Sequence, residues 1–188
     1  MQELKVPYSY LQQQFGADER RRILAAIEEV AKTGDFTLGA IVGEFEWNFA
    51  KLCRAKYAVA MNSGTAALIG ILEALGIGLG DEVITVPNSF VATAAAINIV
   101  GARIVFVDVD DQYLMDAERV EDAITERTKA ILPVHLTGAP ADMGRIMEIA
   151  SRRHVFVVED AAQAVCAELD GKRAGTFGIA AEFSFHPL

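Results

Sequence analysis

The sequence predicts an α/β fold in which a mostly parallel central sheet carries helices on both faces. Short apolar runs rich in β-branched residues alternate along the chain with stretches of helical periodicity. The runs are apolar at nearly every position, as expected for strands of a parallel sheet that is covered on both sides. A hydrophobic fraction of 52% over 188 residues is enough for one substantial core.

Two helices precede the first predicted strand. Apolar residues recur at three- and four-residue spacing over about 17–32, and a second amphipathic segment covers about 43–54. Both patterns predict helices with one apolar face. We assign residues 1–35 to an N-terminal arm and helix and residues 36–188 to the large α/β domain, which we expect to be incomplete and to continue past Leu188.

Strands and helices then alternate to the end of the chain. Each apolar β-rich run predicts a strand, and the stretch after it predicts a helix that covers the sheet. The predicted strands are "YAVAM" (57–61), "EVITV" (82–86), "RIVFVDV" (103–109), "KAILPVHL" (129–136), "VFVVED" (155–160) and Glu182–Phe185, and the predicted helices are 64–75, about 90–100, 116–124, about 142–153 and a short turn after 160.

The first candidate site residues follow the run "YAVAM". Ligands of open parallel sheets bind beyond the carboxyl ends of the strands. In "MNSGTAAL" (61–68) a strand ends at about Met61, Ser63 and Gly64 make a turn, and a helix starts at Thr65. Free N–H groups and the macrodipole at a helix start attract anions. Gly64 and Thr65 are therefore candidate phosphate ligands, although an ordinary helix N-cap explains the same residues.

An aromatic residue follows the next predicted strand. In "VPNSFVATA" (86–94), Phe90 opens a helix at the carboxyl end of a strand. Its ring could cover a flat ligand at the sheet edge. Packing in the core is the alternative, because aromatic side chains are common there.

The third candidate stretch is "VFVVEDAAQA" (155–164), where two carboxylates follow four apolar residues. Glu159 and Asp160 cannot both be buried without partners. Asp160 and Gln163 are three residues apart, so one helical turn places them on the same face. An acid beside an amide suits a basic ring nitrogen next to a phenolic oxygen, as in pyridoxal phosphate, whose protonated ring is an electron sink. A capping acid on a short helix is the alternative.

Three motifs in this order resemble one enzyme family. "NSGTAAL", "EDAAQA" and "FSFHP" are similar to motifs of the nucleotide-sugar aminotransferases, which are DegT/StrS-type, fold-type I pyridoxal-phosphate enzymes of the aspartate aminotransferase superfamily. The resemblance runs from about Val6 to Leu188. In that family the last motif is followed by the lysine that holds the cofactor as a Schiff base, so we expect this catalytic lysine directly after Leu188.

The resemblance implies cofactor-binding roles for six residues of this chain. It implies that the phosphate is bound by the backbone of Gly64 and Thr65 and by the hydroxyl of Ser184. It implies that Phe90 stacks on the pyridine ring and that Gln163 contacts the ring oxygen. Asp160 is implied to pair with the ring nitrogen and to be catalytic for that reason. No metal ion is implied.

The resemblance also implies an activity and partners. It implies transfer of an amino group from an amino acid, with glutamate as the expected donor, to a nucleotide-linked keto-deoxy sugar. The implied context is the biosynthesis of amino sugars for polysaccharides or secondary metabolites. It further implies a homodimer with shared active sites. Two alternatives remain open: a sugar dehydratase of the same family, which carries histidine in place of the lysine, and a non-catalytic sugar-binding or regulatory paralogue.

Composition argues against several other classes of protein. A formal charge of −9 disfavours binding to nucleic acid, which needs clustered Lys and Arg. The start of the sequence lacks the basic and apolar stretches of a signal peptide, and the most apolar region is interrupted by polar residues, so we expect no membrane span. Cys53 and Cys166 are far apart in sequence, which fits a reducing cytoplasm. The three histidines lack metal-ligand spacing.

Overall fold

A computed structural model describes residues 11–186 of the chain. These residues form two compact units, one of residues 11–45 with His186 and one of Glu46–Phe185. The predicted N-terminal arm before Leu11 lies outside the described residues. Within residues 11–186, no helix is both long and apolar enough to cross a membrane.

The first unit contains the helices that the sequence predicts near the N-terminus. Helix α1 is Leu11–Gln14, α2 is Ala17–Thr33, and α3, Ala40–Cys53, begins in this unit and ends in the second. Helix α2 ends where Gly34 adopts a left-handed conformation with a φ of 76° and donates its N–H to the carbonyl of Val30. Glycine adopts this conformation at low cost, which explains the helix end.

The second unit is built on a parallel sheet. Its strands are β1 (Glu82–Thr85), β2 (Arg103–Phe106), β3 (Thr128–Ile131), β4 (Phe156–Asp160) and β7 (Ala180–Glu182), in the order β2-β1-β3-β4-β7, and a separate antiparallel hairpin is formed by β5 (Glu168–Leu169) and β6 (Lys172–Arg173). Every pairing in the main sheet is parallel. The predicted α/β fold with a mostly parallel sheet is confirmed.

Helices cover this sheet. They are α4 (Gly64–Ala74), α5 (Val91–Ile99), α6 (Ala117–Ala123) and α7 (Met143–Arg153), with a short 3-10 turn at Leu136–Gly138. Helix α4 packs on α5 and β7, and α7 packs on β4. All four residues of β1 are buried. Because successive side chains of a strand point to opposite faces, both faces of the sheet are covered at its centre.

The predicted strand 57–61 is wrong. The segment is extended, but it joins no sheet. The side chains of Tyr57, Val59 and Met61 are exposed, and the N–H of Ala60 donates to the carboxylate of Glu46 rather than to a neighbouring strand. β-branched and aromatic residues favour a strand only when a partner strand lies beside them.

Two predictions near the carboxyl ends of β4 and β7 also need correction. The residues after Asp160 form two successive turns rather than a helical turn: the N–H of Ala164 donates to the carbonyl of Ala161, and the N–H of Ala167 donates to the carbonyl of Ala164. The last strand ends at Glu182 and does not reach Phe185. It ends there because β4 supplies no further residue to pair with.

Candidate active site

The carboxyl ends of β4 and β7 bring two acidic side chains together. In the parallel register, Asp160 on β4 lies opposite Glu182 on β7. Their exposed fractions are 5% and 2%. Two adjacent carboxyl groups that are this deeply buried must share a proton or have other partners.

Asp160 is held by neutral donors. Its Oδ2 accepts the hydroxyl of Thr93 at 2.7 Å, and its Oδ1 accepts the N–H of Ala162 at 3.3 Å. The Thr93 hydroxyl also lies 2.7 Å from the hydroxyl of Ser89, which precedes α5. These contacts fix the orientation of the carboxylate without neutralising its charge, so the group can still bind a cation.

Glu182 differs from Asp160 in its contacts. Its Oε1 is buried and has no hydrogen-bond partner between residues 13 and 186. Burial first, and then the charge of Asp160 and a hydrogen bond with it, raise the pKa of Glu182 to about 8. At pH 7 the folded protein therefore keeps this carboxyl protonated.

The start of α4 lies beside these acids. A side chain added at Gly64 would overlap Oε1 of Glu182 and would lie 3.4 Å from Cβ of Ser184. The structure thus places Gly64, Ser184 and Glu182 close to one another. A side chain at position 64 would fit only if the carboxyl group of Glu182 moved.

The N-terminus of α4 combines a capped turn with free donors. Ser63 is the N-cap residue, and its hydroxyl oxygen accepts the N–H of Ala66 at 3.1 Å. The N–H groups of Gly64 and Thr65 donate to no acceptor among the described residues. An ordinary N-cap therefore explains Ser63, whereas the two remaining donors are available to an anion.

Phe90 and Gln163 lie at the same ends of their strands as the acids. Phe90 immediately precedes α5 and is 74% exposed, so its ring is not part of the core. Gln163 follows β4, and its Oε1 accepts the N–H of Thr137 at 2.6 Å. This contact uses the amide oxygen of Gln163, so the amide nitrogen remains available to a ligand.

Glu159 is buried but belongs to the scaffold. Its two oxygens accept the N–H groups of Gly175, Phe177 and Gly178, each at 2.7 Å. Its Oε2 also lies 3.0 Å from Nε2 of His135, whose Nδ1 accepts a backbone N–H, so Nε2 is the donor. Because successive residues of a strand face opposite sides, Glu159 points away from Asp160.

Sequence reasoning missed the involvement of Glu182. The signal was present, since an acid ends a strand that is otherwise apolar and precedes Ser184 by two residues. Residues two apart on an extended segment share a side, so Ser184 and Glu182 could have been grouped. A buried acid among apolar residues requires an explanation of this kind.

The site chemistry suits a phosphorylated heterocycle better than a metal ion. A helix start with free N–H groups, a glycine at that start, and a buried carboxyl group at the neighbouring strand end suit the phosphate and the basic nitrogen of pyridoxal phosphate. In the part of the chain that the structure describes, no group of three His, Cys, Asp or Glu side chains could hold a metal ion.

The sequence matches a known family along most of its length. Residues 17–188 match the model of the DegT/DnrJ/EryC1/StrS aminotransferase family. The chain belongs to this family. The resemblance seen in its three motifs is thereby confirmed.

Two similar proteins of the DegT family carry different functional names. A dTDP-3-amino-3,4,6-trideoxy-alpha-D-glucose transaminase from Micromonospora megalomicea subsp. nigra is 48% identical over 90% of this chain and 46% of that protein. A pleiotropic regulatory protein from Geobacillus stearothermophilus is 43% identical over 98% of this chain and 50% of that protein. The chain thus spans about half the length of these relatives.

Two solved structures share the fold of this chain. DesV from S. venezuelae, in complex with a ketimine intermediate, superposes with a TM-score of 0.91 at 42% identity, over 97% of this chain and 49% of DesV. NtdA from Bacillus subtilis with bound cofactor PMP gives a TM-score of 0.86 at 40% identity, over 93% of this chain and 40% of NtdA.

Proposed function

We propose that the protein is a pyridoxal-phosphate-dependent aminotransferase that transfers an amino group from L-glutamate to a nucleotide-linked keto-deoxy sugar. The observation that supports this proposal most strongly is the buried Asp160 at the carboxyl end of β4, whose strand partner Glu182 lies against Gly64 at the start of α4. The names of relatives at 40–48% identity, together with the NtdA structure that holds PMP, support the same reaction class.

The proposed roles of the binding residues follow from their positions. The N–H groups of Gly64 and Thr65, with the Ser184 hydroxyl, would hold the phosphate. Phe90, exposed at the start of α5, would cover the ring. Gln163 would donate its amide N–H to the ring oxygen, because its Oε1 already accepts from Thr137.

Asp160 would carry the main electrostatic part of catalysis. When bound, pyridoxal phosphate supplies an electron sink that is strongest with its ring nitrogen protonated. An ionised Asp160 holds a proton on that nitrogen by charge pairing, and Thr93 keeps the carboxylate oriented through a 2.7 Å hydrogen bond. The lysine predicted directly after Leu188 would act as general base and acid on the donor carbon.

The proposed setting is a homodimer in the cytoplasm. The family resemblance supports shared active sites between two subunits, and the two described cysteines, both free thiols, fit a reducing compartment. The synthesis of amino sugars for polysaccharides or secondary metabolites is the proposed context.

A regulatory, non-catalytic role is the second candidate function. It is favoured by the name of the Geobacillus stearothermophilus relative, a pleiotropic regulatory protein that is 43% identical to this chain. The presence of Asp160, Gln163 and Ser184 at the motif positions favours the enzyme. The sugar dehydratase of the same family differs by a histidine in place of the predicted lysine, so reading the codon after Leu188 separates it from the aminotransferase.

The proposed activity has a direct test. Full-length protein incubated with pyridoxal phosphate, glutamate and a panel of nucleotide-linked keto sugars is expected to release 2-oxoglutarate only when an accepted sugar is present. Omission of each component in turn is the control. A protein that binds the cofactor but yields no 2-oxoglutarate with any sugar would contradict the aminotransferase proposal and support the alternatives.

Gly64→Ala is expected to weaken binding of pyridoxal phosphate by about tenfold or more, roughly 1.4 kcal/mol. The added methyl group would overlap Oε1 of Glu182, so the buried carboxyl group opposite Asp160 has to shift. Gly70→Ala in the same helix is the matched control, because its methyl group would meet only the tip of Met61 at 3.6 Å. Titration of cofactor absorbance measures both variants, and unchanged affinity in Gly64→Ala would refute the proposed phosphate site.

A further inference from the structure

We propose that Glu182 is a positioning residue of the cofactor site, which donates its proton in a hydrogen bond to Asp160 so that the two acids carry one negative charge beside the phosphate site. This inference rests on the proposed function, since it assigns a role toward the same cofactor. It concerns a residue that none of the sequence motifs singles out.

The sheet register forces the two carboxyl groups together. Glu182 is the direct partner of Asp160 in the parallel pairing of β7 with β4, and both side chains are at least 95% buried. Helix α4, which also packs on β7, brings no ionisable side chain to its start, because its one acid, Glu73, lies at the opposite end. Among the described residues, Asp160 is the charged group that acts on Glu182.

The proton of this pair belongs on Glu182. Asp160 accepts hydrogen bonds from Thr93 and Ala162, as an ionised carboxylate does. Oε1 of Glu182 accepts none within the described residues. Burial without a donor disfavours the charged form, so Glu182 stays neutral and Asp160 takes the charge.

A neutral Glu182 is needed for an anion to bind at α4. Oε1 lies where a Cβ atom of residue 64 would be, and is therefore beside the helix start whose two free N–H groups would hold a phosphate. An ionised carboxylate there would repel the phosphate at short range and offset the attraction of the helix start. The pKa of Glu182 is raised to about 8, so the proton is present below pH 8 and is lost above it.

We predict that ionisation of Glu182 lowers the affinity for the cofactor at alkaline pH. The probe is pyridoxamine 5′-phosphate, which forms no bond with a lysine, titrated by calorimetry into full-length protein from pH 6.5 to 9.5. We compare the ratio of the Kd at pH 9 to the Kd at pH 7 in the two proteins. This ratio is expected to be about tenfold larger in the wild type than in Glu182→Gln. The reason is that, one pH unit above the pKa, only about a tenth of the wild-type protein is still protonated at Glu182. Glutamine retains the shape, the neutrality and an N–H donor for Asp160.

Glu182→Ala separates this role from simple packing. It loses the donor to Asp160, so it is expected to bind the probe more weakly than Glu182→Gln at pH 7. A purely structural role would instead weaken both variants alike and leave the pH profile of the wild type in place. Equal pH profiles in the wild type and Glu182→Gln would overturn the proposal.

A measurement on the wild type alone covers the case in which a variant does not fold. Infrared spectra are expected to show a buried carboxylic-acid C=O band at pH 7 that disappears above pH 8. Absence of that band overturns the proposal even if the cofactor binds. Failure of the wild type to bind the probe at any pH, with the band present, overturns the proposed cofactor function and the role of Glu182 toward it, while the proton assignment stands.

Discussion

Asp160→Asn is expected to lower kcat/KM of the full-length enzyme by about two to four orders of magnitude, roughly 3–5 kcal/mol of transition-state stabilisation. Asparagine can still accept the Thr93 hydroxyl, which donates to Asp160 at 2.7 Å, so the side chain keeps its place. It has no charge to hold a proton on the ring nitrogen, and the electron sink is weakened. The melting temperature is expected to change little, because asparagine keeps the size of the side chain and an oxygen that accepts the Thr93 hydroxyl.

The control for this variant is Asp142→Asn. Asp142 caps α7, its side chain is exposed, and asparagine is an equally good N-cap. The substitution removes one carboxylate charge from the same unit and should leave kcat/KM within about twofold. Near-normal turnover in Asp160→Asn would show that this acid does not face the cofactor ring.

Glu159→Ala, one residue earlier, is expected to cost stability rather than chemistry. The fully buried carboxylate accepts three backbone N–H groups and the ring N–H of His135. Alanine leaves all four donors without an acceptor, which should lower the free energy of unfolding by about 3–5 kcal/mol. Because natural proteins are stable by only about 5–15 kcal/mol, much of the variant protein is expected to be insoluble.

Denaturant unfolding of Glu159→Ala against Glu126→Ala tests this expectation. Glu126 is exposed, and its removal should change the free energy of unfolding by less than about 0.5 kcal/mol. The two variants in β4 should therefore differ in kind: Asp160→Asn is expected to be stable but inactive, and Glu159→Ala is expected to be unstable. A stable Glu159→Ala would mean that water replaces the carboxylate, and the proposed scaffold role would be wrong.

The sequence predicted those parts of the fold that depend on local pattern. Helices α2, α4 and α7 and strands β1 and β4 are where periodicity and apolar runs place them. The segment 57–61 has the composition of a strand, yet it forms none because strand formation depends on a neighbour that local sequence does not reveal.

The site was predictable as motifs but not as an arrangement. Glycine before a helix and an acid at a strand end identified Gly64 and Asp160 as candidates. Two features of the site depend on the pairing of strands β4 and β7. The loop 175–178 donates hydrogen bonds to Glu159, and Glu182 lies opposite Asp160. No periodicity within either strand contains that information.

The alternation of side chains along β4 has a consequence for insertions and deletions. Glu159 serves the scaffold on one face of the sheet, and Asp160, the proposed partner of the cofactor, lies on the other. Losing or gaining a single codon within Phe156–Val158 would rotate both acids by half a turn and exchange their tasks. Length variation in this protein is therefore expected to fall in the connections, and a library that randomises β4 should vary residue identity while keeping the number of residues fixed.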